Sequence, residues 1–282
     1  MSSIKDRAAL VRKEAAVMGK SVYAGETPKN TTFRKDLQKV HSKVVTLEES
    51  IKLSGLKDGM TISFHHHFRG GDKVVNMVVG KLAEMGFKNL HLAASSLSDV
   101  HAPLIEHIKN GVITKISTSG LRGELAKEIS HGLMKEPVIF RSHGGRGSDI
   151  ANDDLHIDGA FLAASACAPA GNASGYSRSP NAKSICGSLG YAKPDAQHAD
   201  KVVIITDDLV DYPNTPNSIS EHDVNYVVLV DSVGDSSKIS SGAIRDTKNP
   251  RDILLAMNAA KVIINSGYFK EGFSLQTGSG GA

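Results

Sequence analysis

Tryptophan is absent from this 282-residue chain, and aromatic residues make up only 5% of it. That leaves little with which to build a base-stacking surface for single-stranded nucleic acid. A charge excess is missing too: 33 Lys and Arg stand against 30 Asp and Glu. A formal net charge of +3, with no cluster of basic residues, argues against a nucleic-acid or membrane surface. Cysteine is limited to Cys167 and Cys186. Two cysteines are too few for a disulfide framework, and reduced thiols in a cytoplasmic protein are the expected state. No apolar run is long enough to span a bilayer, and Met1–Lys20 lacks the apolar segment of a secretory signal. What remains has the make-up of an ordinary globular protein, 40% hydrophobic and 22% charged, with enough apolar mass for a sizeable core.

Ile4–Met18 reads as a short amphipathic helix, with Ala8, Leu10, Val11, Ala15 and Met18 toward one side. The polar stretch Gly25–Arg34 reads as an extended arm. Thr46 and Glu49 form a capping-box pattern that opens a helix ending near Gly55. Beyond it, strands are expected at Met60–Phe64, Asn89–Ala94, Val112–Ser117, Pro137–Phe140, Ile157–Ala164, Lys201–Thr206 and Tyr226–Val230. The last two are continuous apolar runs of the kind buried on both faces. Helices are expected from Asp72, as cap, to Met85, with Gly86 just past the end, and at Ala102–Lys109 and Leu121–Leu133. Another is expected at Pro250–Ile264, where Pro250 suits a first turn. This alternation predicts an α/β fold, a mostly parallel sheet with helices on both faces. Ligands of such sheets bind where strands end and helices begin. Gly272–Thr277 reads as one more strand and Gly278–Gly281 as the loop behind it, so the chain is expected to stop at the threshold of a second domain. The expected division is an N-terminal helix and arm over 1–45, a first α/β domain over 46–270, and the start of a truncated second domain over 271–282.

Four segments place glycine and polar residues directly after a strand. In Ser63–Asp72, His65, His66 and His67 stand in a row. Neighbours on an extended chain point to opposite faces, so at most two could share one ion, and no Cys, Asp or Glu stands at a ligand spacing. No metal site is expected. Either these imidazoles line a polar cleft as donors or proton carriers, with His66 the candidate, or they are satisfied in an ordinary loop. Ser117–Gly123, opening a helix, sets free amides beside Ser119 and Arg122, an arrangement that suits an anion. Arg141–Gly147 gathers Arg141, His143 and Arg146 around the amides of Gly144 and Gly145, whose missing side chains let a ligand come close. Neither is a Walker phosphate loop or a dinucleotide fingerprint, and arginines in such turns also serve as plain surface charge. Two such loops in one sheet favour a multiply charged acid as ligand. The fourth segment, Phe273–Ala282, carries Gln276, Gly278, Gly280 and Gly281. Its amides can hold the oxyanion formed when a thioester carbonyl is attacked; the competing reading is a flexible tail. No Gly-x-Ser-x-Gly elbow is present, and neither cysteine has an evident base beside it. An acyl-transfer enzyme with this sequence takes its nucleophile from the substrate or from outside residues 1–282.

The same segments resemble the α subunit of citrate lyase, a citrate CoA-transferase. The resemblance rests on Gly59–Phe68, Asp72–Val79, Ser95–Lys109, Thr118–Gly123, Arg141–Arg146, Cys186–Tyr191, Ala199–Leu209 and Asn265–Gly281. It runs in order over nearly the whole chain. It implies a two-domain fold of the CoA-transferase/ribose-phosphate-isomerase type. It implies that citrate displaces the acetyl group from an acyl carrier protein, giving a citryl thioester and acetate, by direct attack of a citrate carboxylate through a mixed anhydride. On that reading Arg122, Arg141 and Arg146, with Ser119 and His143, are candidates for the carboxylates of citrate. Gly144, Gly145, Gly278, Gly280 and His66 are candidates for the thioester oxygen or for positioning, and Gln276, Gly278 and Gly281 for the carrier arm. No tightly bound cofactor is implied for this subunit; the co-substrate is the CoA-like phosphopantetheine arm. The implied partners are the β subunit and the acyl carrier γ subunit in a cytoplasmic hetero-oligomer. One departure stands out. Related CoA-transferases carry Ala-Asp-x-x-Gly-Asn, whereas Cys167–Asn172 reads Cys-Ala-Pro-Ala-Gly-Asn; Gly171 and Asn172 fit, and Ala168 replaces the acid. The alternatives are a CoA-transferase for another acid, such as malonate or 4-hydroxybutyrate, and a ligand-sensing module of the same fold. Residues 1–282 alone are expected to show little activity.

Overall fold

The structure, a computed structural model, describes residues 41–180, 182–239 and 247–275, together with Ala9, Leu10 and Lys13. The chain divides into two compact units, Met1–Val40 and His41–Ala282. The three described residues of the first are helical; the rest of the helix expected at Ile4–Met18, and the arm at Gly25–Arg34, lie outside the described residues.

Eight parallel strands form the body of the second unit: β1 (Val44–Val45), β2 (Thr61–Phe64), β3 (Leu90–Ala94), β4 (Ile113–Thr118), β5 (Ile139–Phe140), β6 (Gly159–Ala164), β9 (Lys201–Thr206) and β10 (Tyr226–Leu229). A short antiparallel pair, β7 (Ala166–Cys167) with β8 (Ala173–Ser174), follows β6. The helices are α1 (Leu47–Leu53), α2 (Val74–Glu84), α3 (Leu104–Lys109), α4 (Gly123–Ser130), α5 (His143–Ala151), α6 (Lys193–His198) and α7 (Pro250–Asn265). The strand order is β1-β10-β9-β6-β2-β3-β4-β5. From β2 the chain winds outward to the edge at β5. It then returns to lay β6 on the other side of β2 and winds outward again through β9 and β10. The reversal between β2 and β6 is a topological switch point, where a crevice opens at the carboxyl ends of the strands.

Local chemistry explains several of these elements. Thr46 and Glu49 cap α1 reciprocally, Glu49 donating its amide to Thr46 Oγ1 at 3.2 Å and accepting the Thr46 amide at 2.9 Å. Asp72 Oδ2 accepts the Val75 amide at 3.1 Å, capping α2 through its side chain although Lys73 holds the backbone cap position. Gly86, at φ +87°, ends α2 with the Phe87 amide bonded back to the Leu82 carbonyl, a left-handed stop that favours glycine. At the sheet centre every residue of β6 is buried, as are Val202–Thr206 of β9, so these apolar runs serve both faces.

Differences from expectation fall on short elements. Val44–Val45, grouped in the sequence with the arm, pair with Val227–Val228. Lys43 anchors this edge by donating to the carbonyls of Glu221 and Val224 at 2.6 and 2.7 Å. Two residues are too few to display a strand period. The expected strand at Gly272–Thr277 is not formed over Gly272–Leu275, where Phe273 instead meets the Phe269 ring edge-on at 5.9 Å; Gln276 and Thr277 lie outside the described residues. Helix α7 buries none of its residues, and Leu254, Leu255 and Met257 are exposed on it. No helix of the described residues is long and apolar enough to cross a membrane.

The departure at position 168 has a plain structural context. Ala168 is wholly buried, and its amide donates to the Asn172 carbonyl. Asn172 in turn accepts the Glu221 amide at 2.8 Å and donates to the Pro213 carbonyl at 2.9 Å, fastening the segment beyond β9 to the β7–β8 pair. Gly171 sits at φ +115°, and a Cβ there would stand 2.9 Å from the Val224 side chain. The Gly-Asn pair is therefore a staple, and an acid at 168 would be a fully buried carboxylate.

Candidate active site

Four of the loops leaving the carboxyl ends of β2, β3, β4 and β5 meet beside the switch point. After β2, His66 is held twice by Ser95 from the loop after β3. Its amide donates to Ser95 Oγ at 2.9 Å, and its ring Nδ1 lies 2.5 Å from the same oxygen. The hydroxyl accepts the amide proton and is free to give its own to Nδ1, in the tautomer that carries the ring proton on Nε2. Burial, helped by the nearby His143, Arg69 and Arg146, pushes the His66 pKa down to about 4. At neutral pH this ring is uncharged and has one N–H to donate.

His65 and His67, on alternate positions, pack together with ring centroids 3.8 Å apart. All four of their ring nitrogens are buried without a hydrogen-bond partner. Burial holds His65 well below its usual value and drives His67 to about 3. All three rings of the triplet are thus held in the neutral form, two of them packed against each other. Among the described residues, the His, Cys, Asp and Glu side chains close enough to share an ion are His156, Asp158 and Asp200, which precede β6 and β9 at the opposite end of the strands.

Tyr191 ties the remaining loops together. Its ring lies flat on His143, centroids 4.0 Å apart, and its hydroxyl donates to the His143 carbonyl at 2.8 Å. The same hydroxyl is 3.3 Å from Ser119 Oγ, and the Ser119 amide donates to the Ser95 carbonyl. Ser119, His66 and His143 are therefore brought together as their loop positions suggested. Tyr191 and Ser95, which complete the group, carried no local signal in the sequence beyond lying in polar segments.

Arg146, expected as a carboxylate clamp, lies instead beneath the loops and is 1% exposed. Its guanidinium grips Asp195 with two bonds of 2.8 and 2.6 Å and also donates to Ser63 Oγ and the Ala93 carbonyl. Ser63 bonds Asp195 as well. The reason is helical: Arg141–Gly147 is not wholly a loop, because α5 begins at His143, and its period turns Arg146 and Ile150 inward. Ser142 caps this helix by accepting the Gly145 amide at 2.9 Å. Gly145 thus spends its amide on the cap, while the Gly144 amide, in the first turn, has no acceptor within the helix. Arg141 is half-buried and ion-paired with Asp149. Arg122 stands exposed at the start of α4. The candidates Gln276, Gly278, Gly280 and Gly281 lie outside the described residues. Cys167 and Cys186 are free and buried; burial pushes the Cys167 thiol up to about 12 and raises Cys186 too. Neither offers a thiolate near neutral pH.

A parallel sheet with this order and a crevice of polar loops at its switch point define an α/β protein with the CoA-transferase type of fold. The chain superposes on glutaconate CoA-transferase from Acidaminococcus fermentans with a TM-score of 0.50 at 13% identity, over 67% of this chain and 76% of that one. On the alpha subunit of a malonate decarboxylase from Acinetobacter baumannii the TM-score is 0.56 at 19% identity, over 83% and 42%. At such identities the likeness is one of fold alone. The chain belongs to the citrate lyase alpha subunit family, whose model matches residues 40–282. It is 59% identical over 265 residues to the citrate lyase alpha chain of Klebsiella pneumoniae, covering 94% of this chain and 51% of that one. With the Haemophilus influenzae alpha chain it shares 61% over 237 residues, covering 84% and 47%. A crystal structure described as the alpha subunit of citrate lyase from Streptococcus mutans, in complex with citrate, matches with a TM-score of 0.74 at 50% identity, over 96% and 53%. The chain spans about half the length of the curated relatives it matches.

Proposed function

We propose that this chain is part of a transferase subunit that moves an acyl carrier protein from acetate to citrate. The observation that carries the reading is the family match, continuous from residue 40 to 282. The citrate named in the Streptococcus mutans complex agrees with it. In the first step a citrate carboxylate attacks the acetyl carbonyl of the carrier thioester. A C–O bond forms, the C–S bond breaks, and the carrier thiolate leaves behind a mixed anhydride. The thiolate then attacks the citryl carbonyl of the anhydride, and acetate departs. Both steps proceed without an enzyme nucleophile, in keeping with two buried, protonated thiols.

The residues divide the work by charge. His66 Nε2–H and the Gly144 amide are neutral donors suited to the oxyanion of each tetrahedral intermediate. Arg122 and Arg141 supply positive charge for the carboxylates of citrate that do not react, and Ser119 and His143 rim the same space. Arg146 acts through Asp195, by holding α5 and its first turn in place. The terminal residues Gln276, Gly278, Gly280 and Gly281 remain candidates for the carrier arm and the thioester oxygen. The reading includes a β subunit and an acyl carrier γ subunit as partners, a cytoplasmic location, and no tightly bound cofactor in this subunit.

The test is release of labelled acetate from an acetyl-loaded carrier by the full-length subunit. Citrate is expected to drive release, with malonate and 4-hydroxybutyrate poor acceptors. Equal rates with malonate would overturn the assignment to citrate, and citrate binding without acetate release would favour a sensing role.

A further inference from the structure

Beside the histidine loop a second concavity opens, a cleft of about 660 Å³ between the turn Arg69–Gly71 and the turn Ser236–Lys238. Its two walls are joined through their backbones. Asp235 donates its amide to the Gly71 carbonyl at 3.0 Å, and Asp72 bridges to Gly234. Neither glycine has room for a side chain: a Cβ on Gly71 would stand 2.2 Å from the Asp235 carbonyl oxygen, and one on Gly234 would stand 2.4 Å from the Phe68 ring. The cleft is therefore a built feature rather than a gap between loose loops.

Its lining is basic. Lys73, Lys183 and Lys238 reach it from three separate segments. Lys73 donates to Ser232 Oγ at 3.1 Å and Lys183 to the Asp231 carbonyl at 3.2 Å. Both acceptors are neutral and leave the ammonium charges available to an anion. Lys238 lies 3.9 Å from Asp235, whose carboxylate also takes the amide and hydroxyl of Ser237 at 3.0 and 2.6 Å. A second observation comes from Asp72, which also lines the cleft and is 1% exposed. Its Oδ2 is occupied by the Val75 amide and faces His101, but its Oδ1 has no partner. An unpartnered buried acceptor calls for a donor. The ligand chemistry that answers both features is an anion with an N–H or O–H close by.

We propose that this cleft binds the phosphate of the phosphopantetheine arm, a group that pairs an anion with hydroxyl and amide donors. The proposal rests on the acyl-transfer reading above and adds an anchor within the described domain. The cleft adjoins the catalytic loop directly, since the Arg69 amide donates to the His66 carbonyl at 3.1 Å.

The experiment uses the full-length subunit with two acetyl donors, S-acetyl-4′-phosphopantetheine and S-acetylpantetheine, which differ only in the phosphate. The wild-type subunit is expected to show the lower KM for the phosphorylated donor. Lys73→Glu and Lys183→Glu, both on exposed side chains, are expected to raise that KM about tenfold or more, the loss of one charge-assisted contact. The KM for the unphosphorylated donor should stay where it was, and Lys73→Arg and Lys183→Arg should retain most of the preference. Equal wild-type KM values for the two donors, or variants that weaken both alike, would overturn the proposal. Acetate release from either donor by the wild type tests the acyl-transfer reading separately. Should turnover be absent, calorimetric binding of 4′-phosphopantetheine against pantetheine to the same proteins still decides the cleft, with equal affinities counting against it.

Discussion

A neutral imidazole with one nitrogen occupied can do one thing well at the other. For His66 the occupied atom is Nδ1, against Ser95, and the pKa near 4 keeps the ring from competing as a cation for the carboxylates of citrate. A donor without net charge strengthens most as oxygen gains charge in the transition state, which is the requirement for an oxyanion contact. On the proposed reading, His66→Ala in the full-length subunit lowers kcat by about 10²–10³-fold and moves the KM for citrate far less. The wild-type rate profile should show no inflection from this ring between about pH 5 and 8. An unchanged kcat in the variant would assign the oxyanion to other donors. At this scale the sequence was legible where a residue type and its loop sufficed, as for His66, Ser119 and His143. Tyr191 was not, because its value lies in a contact with Ser119 across 72 positions of chain.

The helix α5 shows how an element can hide in composition. His143–Gly147 contains three glycines, each a cost of about 1 kcal/mol to a helix interior, and so reads as a loop. It is helical because Ser142 caps it and because Arg146 and Ile150 are buried on its inner side. The buried Arg146–Asp195 pair then fixes the first turn over Ser63 and Ala93. Removing one partner leaves an uncompensated buried charge, so Arg146→Ala or Asp195→Ala is expected to cost about 3–5 kcal/mol in urea unfolding. The apolar double replacement Arg146→Met with Asp195→Leu should recover much of the loss. Single variants as stable as the wild type would show that α5 is held by something else. Helices with an apolar period and ordinary caps, such as α1 and α2, were legible to within a residue or two.

For the whole molecule, three imidazoles held neutral by burial couple stability to pH. In the unfolded chain they take protons near pH 6.5, whereas in the fold His66 does so only near 4 and His67 near 3, with His65 also well below its usual value. Between those limits the unfolded state binds more protons, so stability is full above pH 6.5 and falls as pH is lowered toward 4. His91, lowered first by burial, adds to the trend. His156, raised mainly by Asp153, opposes it only weakly because it is exposed and screened. Thermal unfolding followed by circular dichroism from pH 8 to pH 4 should show Tm declining through that window. A flat Tm would mean that these rings are not buried in neutral form.

By itself the sequence determined the alternation of strands and helices, the parallel class of the sheet, and the loops in which polar chemistry collects. Those are properties of local periodicity and capping, carried by residues a few positions apart. Only the tertiary structure decided the strand order, with its switch point between β2 and β6 and the pairing of β2 with β3 that sets His66 beside Ser95. It alone decided that Arg146 is a buried strut rather than a clamp, and that Lys73, Lys183 and Lys238 share one cleft. Which side of a helix faces the core, and which distant segments meet, depends on packing between elements that no single stretch of chain contains.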